Sequence, residues 1–157
     1  MINNKKYSML TLLSLLNLYM DSFNIIWHIR SFDNVFIANI ANSCKSTIKR
    51  DIDELFSYKE IKTSYISQLT YIGIYNELSK YGSQFFIPKS DSELDLSSSE
   101  YVELIHKMIM DIVSVLDVVK ESYKQYSCYS YLKYMIIRYN NLAIEFDKLK
   151  VEKQNDK

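Results

Sequence analysis

The chain has 157 residues, of which 48% are hydrophobic and 24% charged; this excludes a disordered protein and suffices for a compact domain with a sizeable core. Two Gly and one Pro leave few positions for the tight turns that sheets need, so the composition favours helices throughout. The formal net charge is zero, which excludes a protein that binds nucleic acid mainly through its overall field. Any DNA contact must then be confined to a local patch.

Residues 9–20 form an apolar run that follows a basic start, an arrangement that imitates a secretory signal. No cleavage site with small residues follows, because "DSFN" comes next, and the run is too short to cross a bilayer. Its apolar residues fall at helical spacing, which predicts a first core helix and no membrane segment. These residues are Met9, Leu12, Leu13, Leu16, Tyr19, Met20 and Phe23.

Residues 35–42 and 45–56 are predicted to form two short helices joined by a tight polar turn around "NSCK". Ala38 and Ala41 are small at the positions where the second helix would cross the first. Asn42 tolerates the left-handed conformation that such a turn commonly requires. This pattern predicts a helix-turn-helix.

The stretch "IANIANSCKSTIKRDIDEL", residues 37–55, resembles the helix-turn-helix of bacterial winged-helix transcription regulators of the DeoR, WYL-associated and Mga-like kinds. The pattern of those families runs Leu-Ala, then Leu-Gly, then Ser-x-x-Thr-Ile-x-Arg-Asp-Ile-x-x-Leu. The matching positions are Ile37, Ala38, Ala41, Thr47, Ile48, Arg50, Asp51, Ile52 and Leu55. The chain departs from the pattern at three positions, where the turn Gly is Asn42, the next apolar residue is Ser43 and the usual capping Ser is Cys44.

The resemblance implies a sequence-specific protein that binds double-stranded DNA and regulates transcription, with the helix at 45–56 in the major groove. Thr47 would bond a phosphate with help from the positive end of that helix, and Arg50 would contact bases or a phosphate. Asp51 and its acidic neighbours would lie farther from the DNA. The predicted DNA-binding residues are Lys45, Ser46, Thr47, Lys49 and Arg50. The alternative is a solvated charged face over an ordinary core helix.

A wing would have to follow, and residues 58–75 contain the best strand-forming run in the chain. No Asn-Gly or Asp-Gly turn interrupts the run, so a hairpin is not indicated. The spacing of its apolar residues also suits a helix that ends near Gly82. We favour this helix, with a short strand at residues 61–64 as the remaining trace of a wing.

Residues 100–152 show the strongest apolar periodicity in the chain, in steps of three and four on both sides of "SCYS". This pattern predicts a long antiparallel helical hairpin with coiled-coil-like stripes. The apolar band is wide, so either the N-terminal helices or a second copy of the chain would cover it. The sequence therefore leaves two alternatives, which are a homodimer through residues 100–150 and a core within one chain.

The predicted fold class is all-α, with a helix-turn-helix-like domain, with or without a small wing, followed by the helical hairpin. The first domain spans residues 1–82, and the hairpin spans residues 100–152. Pro88 and a run of serines make residues 83–99 a loop or linker, and residues 153–157 a polar, disordered tail.

The sequence offers little for catalysis. His28 and His106 have no carboxylate or cysteine at ligand spacing, and the two glycines cannot form a phosphate-binding loop. Cys44 and Cys128 are far apart and fit a reducing compartment. We therefore predict a cytoplasmic protein that is not an enzyme and uses no metal and no cofactor.

A second hypothesis comes from "IYNELSKYG", residues 74–82, which faintly resembles the end of a groove helix in apoptosis regulators of the Bcl fold. That resemblance implies a viral protein that binds an amphipathic helix of a host protein. The apolar central helix expected after the Gly is replaced here by the polar loop at 83–99, which departs from that family. A helical immunity or adaptor protein is a third, plainer hypothesis.

Overall fold

The computed structural model describes residues 8–30, 35–61, 76, 78–80, 85 and 98–155, with side chains for most of them. Within this part of the chain there are four helices and no strand: α1 (Met9–Arg30), α2 (Val35–Ser57), α3 (Ser98–Ser122) and α4 (Tyr129–Asn155). The all-α prediction is confirmed for the described residues.

Most of the described side chains of helix α1 are buried in the core. The Ser8 hydroxyl accepts a hydrogen bond from the Thr11 backbone N–H at 3.2 Å and so caps the helix. Leu12, Leu16 and Tyr19 are fully buried. The predicted first core helix is confirmed, and burial extends to polar Thr11, Ser14 and Ser22 on its other faces.

The four helices share one hydrophobic core. Helix α1 packs along α2, α3 packs along α4, and α1 also contacts α3. The Tyr19 hydroxyl on α1 donates a hydrogen bond of 2.8 Å to the Asp111 carboxylate on α3, and Lys107 lies 3.2 Å from the same oxygen. Buried residues from both predicted halves of the chain therefore form one cluster.

Helix α2 is continuous from Val35 to Ser57, so the predicted turn around "NSCK" is wrong. Ala41, Cys44, Ile48 and Leu55 are all buried and follow one another in helical steps, which makes a single uninterrupted apolar stripe. No Gly or Pro interrupts this stretch, and Cys44 packs as a small apolar residue where the turn hypothesis expected a cap.

The C-terminal helices differ from the prediction at their ends. Helix α3 ends at Ser122, and residues 123–128 form successive turns, so Tyr126 leaves the helix and its side chain is 51% exposed. Helix α4 reaches Asn155, beyond the predicted end of the hairpin at residue 152.

The remaining predictions fall mostly outside the described residues. Residues 62–75, on which the choice between a wing and a helix depends, are not among them, and Ile61 lies in a turn where a strand was expected to begin. Most of the predicted loop at 83–99 is also outside, and α3 already begins at Ser98. Leu78 and Phe85 are described and belong to the core.

Glu60 joins the end of α2 to the start of α4. Its carboxylate accepts hydrogen bonds from the Ser127 hydroxyl at 2.8 Å and the Cys128 N–H at 2.9 Å. It thereby satisfies a backbone donor that α4 cannot satisfy internally, near the positive end of that helix. Hydrogen bonds from its own backbone N–H, from Ser127 and from Cys128 lower the pKa of Glu60 to about 2.

The lowered pKa of Glu60 makes stability depend on acidity. Its contribution is complete above the ordinary pKa of 4.5 and is lost as the pH falls toward 2. We expect Glu60→Gln to lower the free energy of unfolding at about pH 6 and to reduce the loss that wild type suffers between about pH 5 and pH 3. Urea unfolding followed by circular dichroism measures both effects, and Glu54→Gln, at an exposed residue of α2, is the matched control for loss of a carboxylate.

Candidate functional site

The candidate site lies between α2 and α4, which run antiparallel to each other. Glu60, after the end of α2, meets the start of α4 at Cys128, whereas Cys44, nearer the start of α2, lines a groove with Phe146 toward the end of α4. Between these two points the helices are joined by side chains centred on Asp51.

Asp51 is a fully buried carboxylate with three donors from α4. The Tyr131 hydroxyl donates to Oδ1 at 2.6 Å, and the Tyr139 hydroxyl donates to Oδ2 at 2.6 Å. The Arg138 guanidinium also donates to Oδ1 and forms an ion pair with the carboxylate. We call these four residues the Asp51 cluster. A buried charge is tolerated when it is paired and fully hydrogen-bonded, and the cluster meets both conditions for Asp51.

Aromatic rings surround the guanidinium of Arg138. Its central carbon lies 4.7 Å from the centre of the Tyr134 ring and 5.6 Å from that of the Tyr139 ring, within cation–π range. Burial, followed by the charge of Asp51, raises the pKa of Tyr139, and burial with the hydrogen bond to Asp51 raises that of Tyr131. Both phenols therefore stay protonated and act as donors. The Arg138 Nε atom is buried and has no hydrogen-bond partner among the described residues.

The position of Asp51 corrects an expectation from the sequence. Asp51 was grouped with Asp53 and Glu54 as acidic residues farther from the DNA, but of these three only Asp53 and Glu54 are exposed. Asp51 lies one turn after Ile48 and one turn before Leu55, two fully buried residues, so its position in the apolar stripe was a signal for burial. Its partners on α4 carried no comparable signal, because they are more than 75 positions away in sequence.

Beyond the Asp51 cluster, a groove of about 300 Å³ opens between α2 and α4. Its apolar lining consists of Ile40, Cys44, Leu142 and Phe146, and its polar lining consists of Asn39, Ser43 and Glu145. Ile40 and Leu142 are only partly buried, so they present apolar surface to the groove. Burial raises the pKa of the Cys44 thiol to about 12, which keeps it protonated and unreactive as a nucleophile at neutral pH.

The five predicted DNA-binding residues all lie within α2. Ser46, Lys49 and Arg50 are exposed, whereas Lys45 and Thr47 are half-buried. Asp53 and Glu54 follow Lys49 and Arg50 four residues later and share their exposed face, which is the pattern of a solvated helix surface.

Thr47 was expected to bind a phosphate with help from a helix start close to it, but no helix begins there. Thr47 lies in the interior of α2, which begins at Val35, so its backbone N–H is bonded within the helix. The positive end of a recognition helix is therefore not located at residues 45–47, and this part of the prediction is wrong. Whether the side chains of these residues bind DNA stays a prediction.

A histidine and a carboxylate form a further contact between α3 and α4. His106 lies 3.2 Å from the Asp147 carboxylate across α3 and α4, a partner that the sequence did not indicate. Within the described residues, no three His, Cys, Asp or Glu side chains are grouped to hold a metal ion. Nor does any helix there have the length and apolar character to cross a membrane.

Comparison with protein-family models, curated proteins and solved structures finds no significant similarity to this chain. The resemblances to winged-helix regulators and to Bcl-fold proteins accordingly stay predictions. The geometry of the groove and of the Asp51 cluster carries the functional argument.

Replacing Asp51 tests the energetic role of the cluster. Asp51→Ala leaves the half-buried Arg138 without its carboxylate and the Tyr131 and Tyr139 hydroxyls without their acceptor, so we expect it to lower the free energy of unfolding by about 3–5 kcal/mol. Asp53→Ala on the exposed face of the same helix should change it by less than about 0.5 kcal/mol. Urea unfolding monitored by circular dichroism gives both values, and equal effects of the two substitutions would contradict the assignment. The double variant Asp51→Leu with Arg138→Met should recover part of the loss, because no charge then remains unpaired although Tyr131 and Tyr139 lose their acceptor.

Proposed function

We propose that the protein is a non-enzymatic helical interaction module that binds one face of an amphipathic helix from another protein. The observation that carries this proposal is the groove between α2 and α4, with its apolar lining and polar edge. A volume of about 300 Å³ accommodates one or two large apolar side chains, which is how a helix anchors in a groove.

The groove is supported by side chains that hold α2 and α4 apart at a defined spacing. The Asp51 cluster connects α2 and α4 next to the groove, on the side nearer the C-terminal end of α2. Glu60 connects the same two helices beyond that end of α2. Walls fixed in this way need little reordering when a partner enters, and a smaller loss of conformational entropy favours affinity.

The negative charge of Glu145 at the groove indicates which charged residues a partner helix should carry. Among the described residues that line the groove, Glu145 alone is charged. A partner helix with Lys or Arg beside its apolar anchors would pair with this carboxylate at the edge of the interface, whereas an acidic neighbour would be repelled. The proposed partner is therefore an amphipathic helix with apolar residues at i and i+3 or i+4, flanked by a basic residue.

A bulky side chain at the edge of the groove tests the proposal. Ser43 is exposed and lines the groove, so Ser43→Trp should fill it with little effect on folding. A displayed library of helical peptides is selected on wild-type protein, and the enriched peptides are then measured by fluorescence anisotropy. We expect apolar anchors at helical spacing and a loss of affinity of at least tenfold on Ser43→Trp.

The matched control is Ser46→Trp, at a residue that is also exposed on α2 but does not line the groove. This variant should bind the same peptides as tightly as wild type, and added salt should weaken binding only slightly because apolar contacts dominate. Selection of no helical peptide, or equal binding to both variants, would refute the groove as a binding site.

Duplex DNA is the second candidate partner. The observation that favours it is the exposure of Lys49 and Arg50 on consecutive positions of α2, beside exposed Ser46. Since α2 is continuous, a DNA complex would use the middle of a long helix and not the leading end of a short one. Lys45 and Thr47, being half-buried, would contribute less to such a surface.

Salt dependence distinguishes DNA binding from helix binding. If this surface binds duplex DNA, a nonspecific duplex is retarded at about 50 mM salt, and Lys49→Ala with Arg50→Ala weakens binding and lowers the salt slope by about 2. Lys124→Ala, in the turn before α4, serves as the control for loss of an exposed cation. Absence of any shift at low salt would remove DNA from the candidates.

A further inference from the structure

The outward face of α4 carries large apolar side chains that no described element covers. Tyr134 is 52% exposed, Ile137 is 60% exposed and Ile144 is 52% exposed. Exposed Asn141 lies between the two isoleucines on the same face. This face is distinct from the groove, whose residues on α4 are Leu142, Glu145 and Phe146.

The spacing of this face is that of a coiled coil. Positions 134, 137, 141 and 144 are separated by steps of three, four and three, which are the a and d positions of a heptad repeat. Single exposed apolar residues are ordinary on protein surfaces, but a run in heptad register with one Asn is the pattern by which helices pair. We call Tyr134, Ile137, Asn141 and Ile144 the outer stripe.

We propose that the outer stripe pairs with the outer stripe of a second copy of this chain, with the two α4 helices antiparallel about a two-fold axis near residues 139–140. This pairing sets Tyr134 of each copy against Ile144 of the other, and it sets Ile137 of each copy against Asn141 of the other in the middle of the interface. Such a contact is self-complementary, as a two-fold interface requires.

The charges beside the stripe select the antiparallel arrangement. Exposed Lys133 and exposed Asp147 occupy equivalent positions of the heptad on one side of the stripe. Antiparallel pairing about the proposed axis places Lys133 of one copy beside Asp147 of the other. Parallel pairing would oppose the two exposed Lys148 side chains, so like charges would meet.

Substitutions on the stripe test the pairing. Sedimentation of the full chain at tens of micromolar should give a dimer. Ile137→Asp and Ile144→Asp should each weaken the dimer by at least about tenfold, because a carboxylate replaces an apolar side chain that becomes covered. Met110→Asp, at an exposed apolar residue of α3, is the control and should leave the dimer intact. Circular dichroism should show all three variants folded, and a monomeric wild type would overturn the proposal.

Charge reversal and distance measurement test the orientation. Lys133→Glu and Asp147→Lys should each weaken the dimer, and the two together should restore it. A spin label at Lys148→Cys should report a separation of about 25 Å along the helices if they are antiparallel. A parallel pair would bring the labels within about 15 Å and would overturn the arrangement. Ser43→Trp, which fills the groove, should not alter dimerisation, so this test is independent of the proposed function.

Discussion

The structure depends on one buried carboxylate, Asp51, and on the three donors that α4 directs at it. Removing a carboxylate and a guanidinium from water costs several kcal/mol for each ion, and only close pairing with further hydrogen bonds offsets that cost. This requirement restricts how α2 and α4 can be arranged, because a shift of either helix would leave a buried charge without its partners. The shape of the groove between the two helices depends on this restricted arrangement.

Much of the helical framework could be predicted from the sequence. Helix α1 and the greater part of α3 and α4 follow from apolar residues in steps of three and four, since burial of one face is what this spacing reports. The division of α2 was wrong because a short polar segment, "NSCK", has the composition of a turn. The apolar stripe nevertheless continues in phase through it, and packing against the core outweighs the weak local preference of Asn and Ser for turns.

The candidate site was harder to predict. Lys49 and Arg50 are exposed, as charged residues on an amphipathic helix usually are, but whether they bind DNA stays a prediction. The groove could not be derived from the sequence, because Ile40 and Leu142 meet only after four helices have assembled. The hydrogen bond between Asp51 and Tyr139 could not be derived either, because the two residues are 88 positions apart and a local sequence pattern does not relate such distant segments. A resemblance confined to residues 37–55 described the local chemistry of α2 without its tertiary partners.

The burial of α1 also bears on how the chain is made. A helix with apolar residues on most of its surface is synthesised before α3, yet the hydrogen-bond partner of Tyr19 is Asp111, 92 positions later. Until α3 has emerged, the nascent chain lacks one of the helices that pack against this apolar segment. Synthesis therefore includes an interval in which the unfinished protein is most prone to aggregate and most dependent on chaperones.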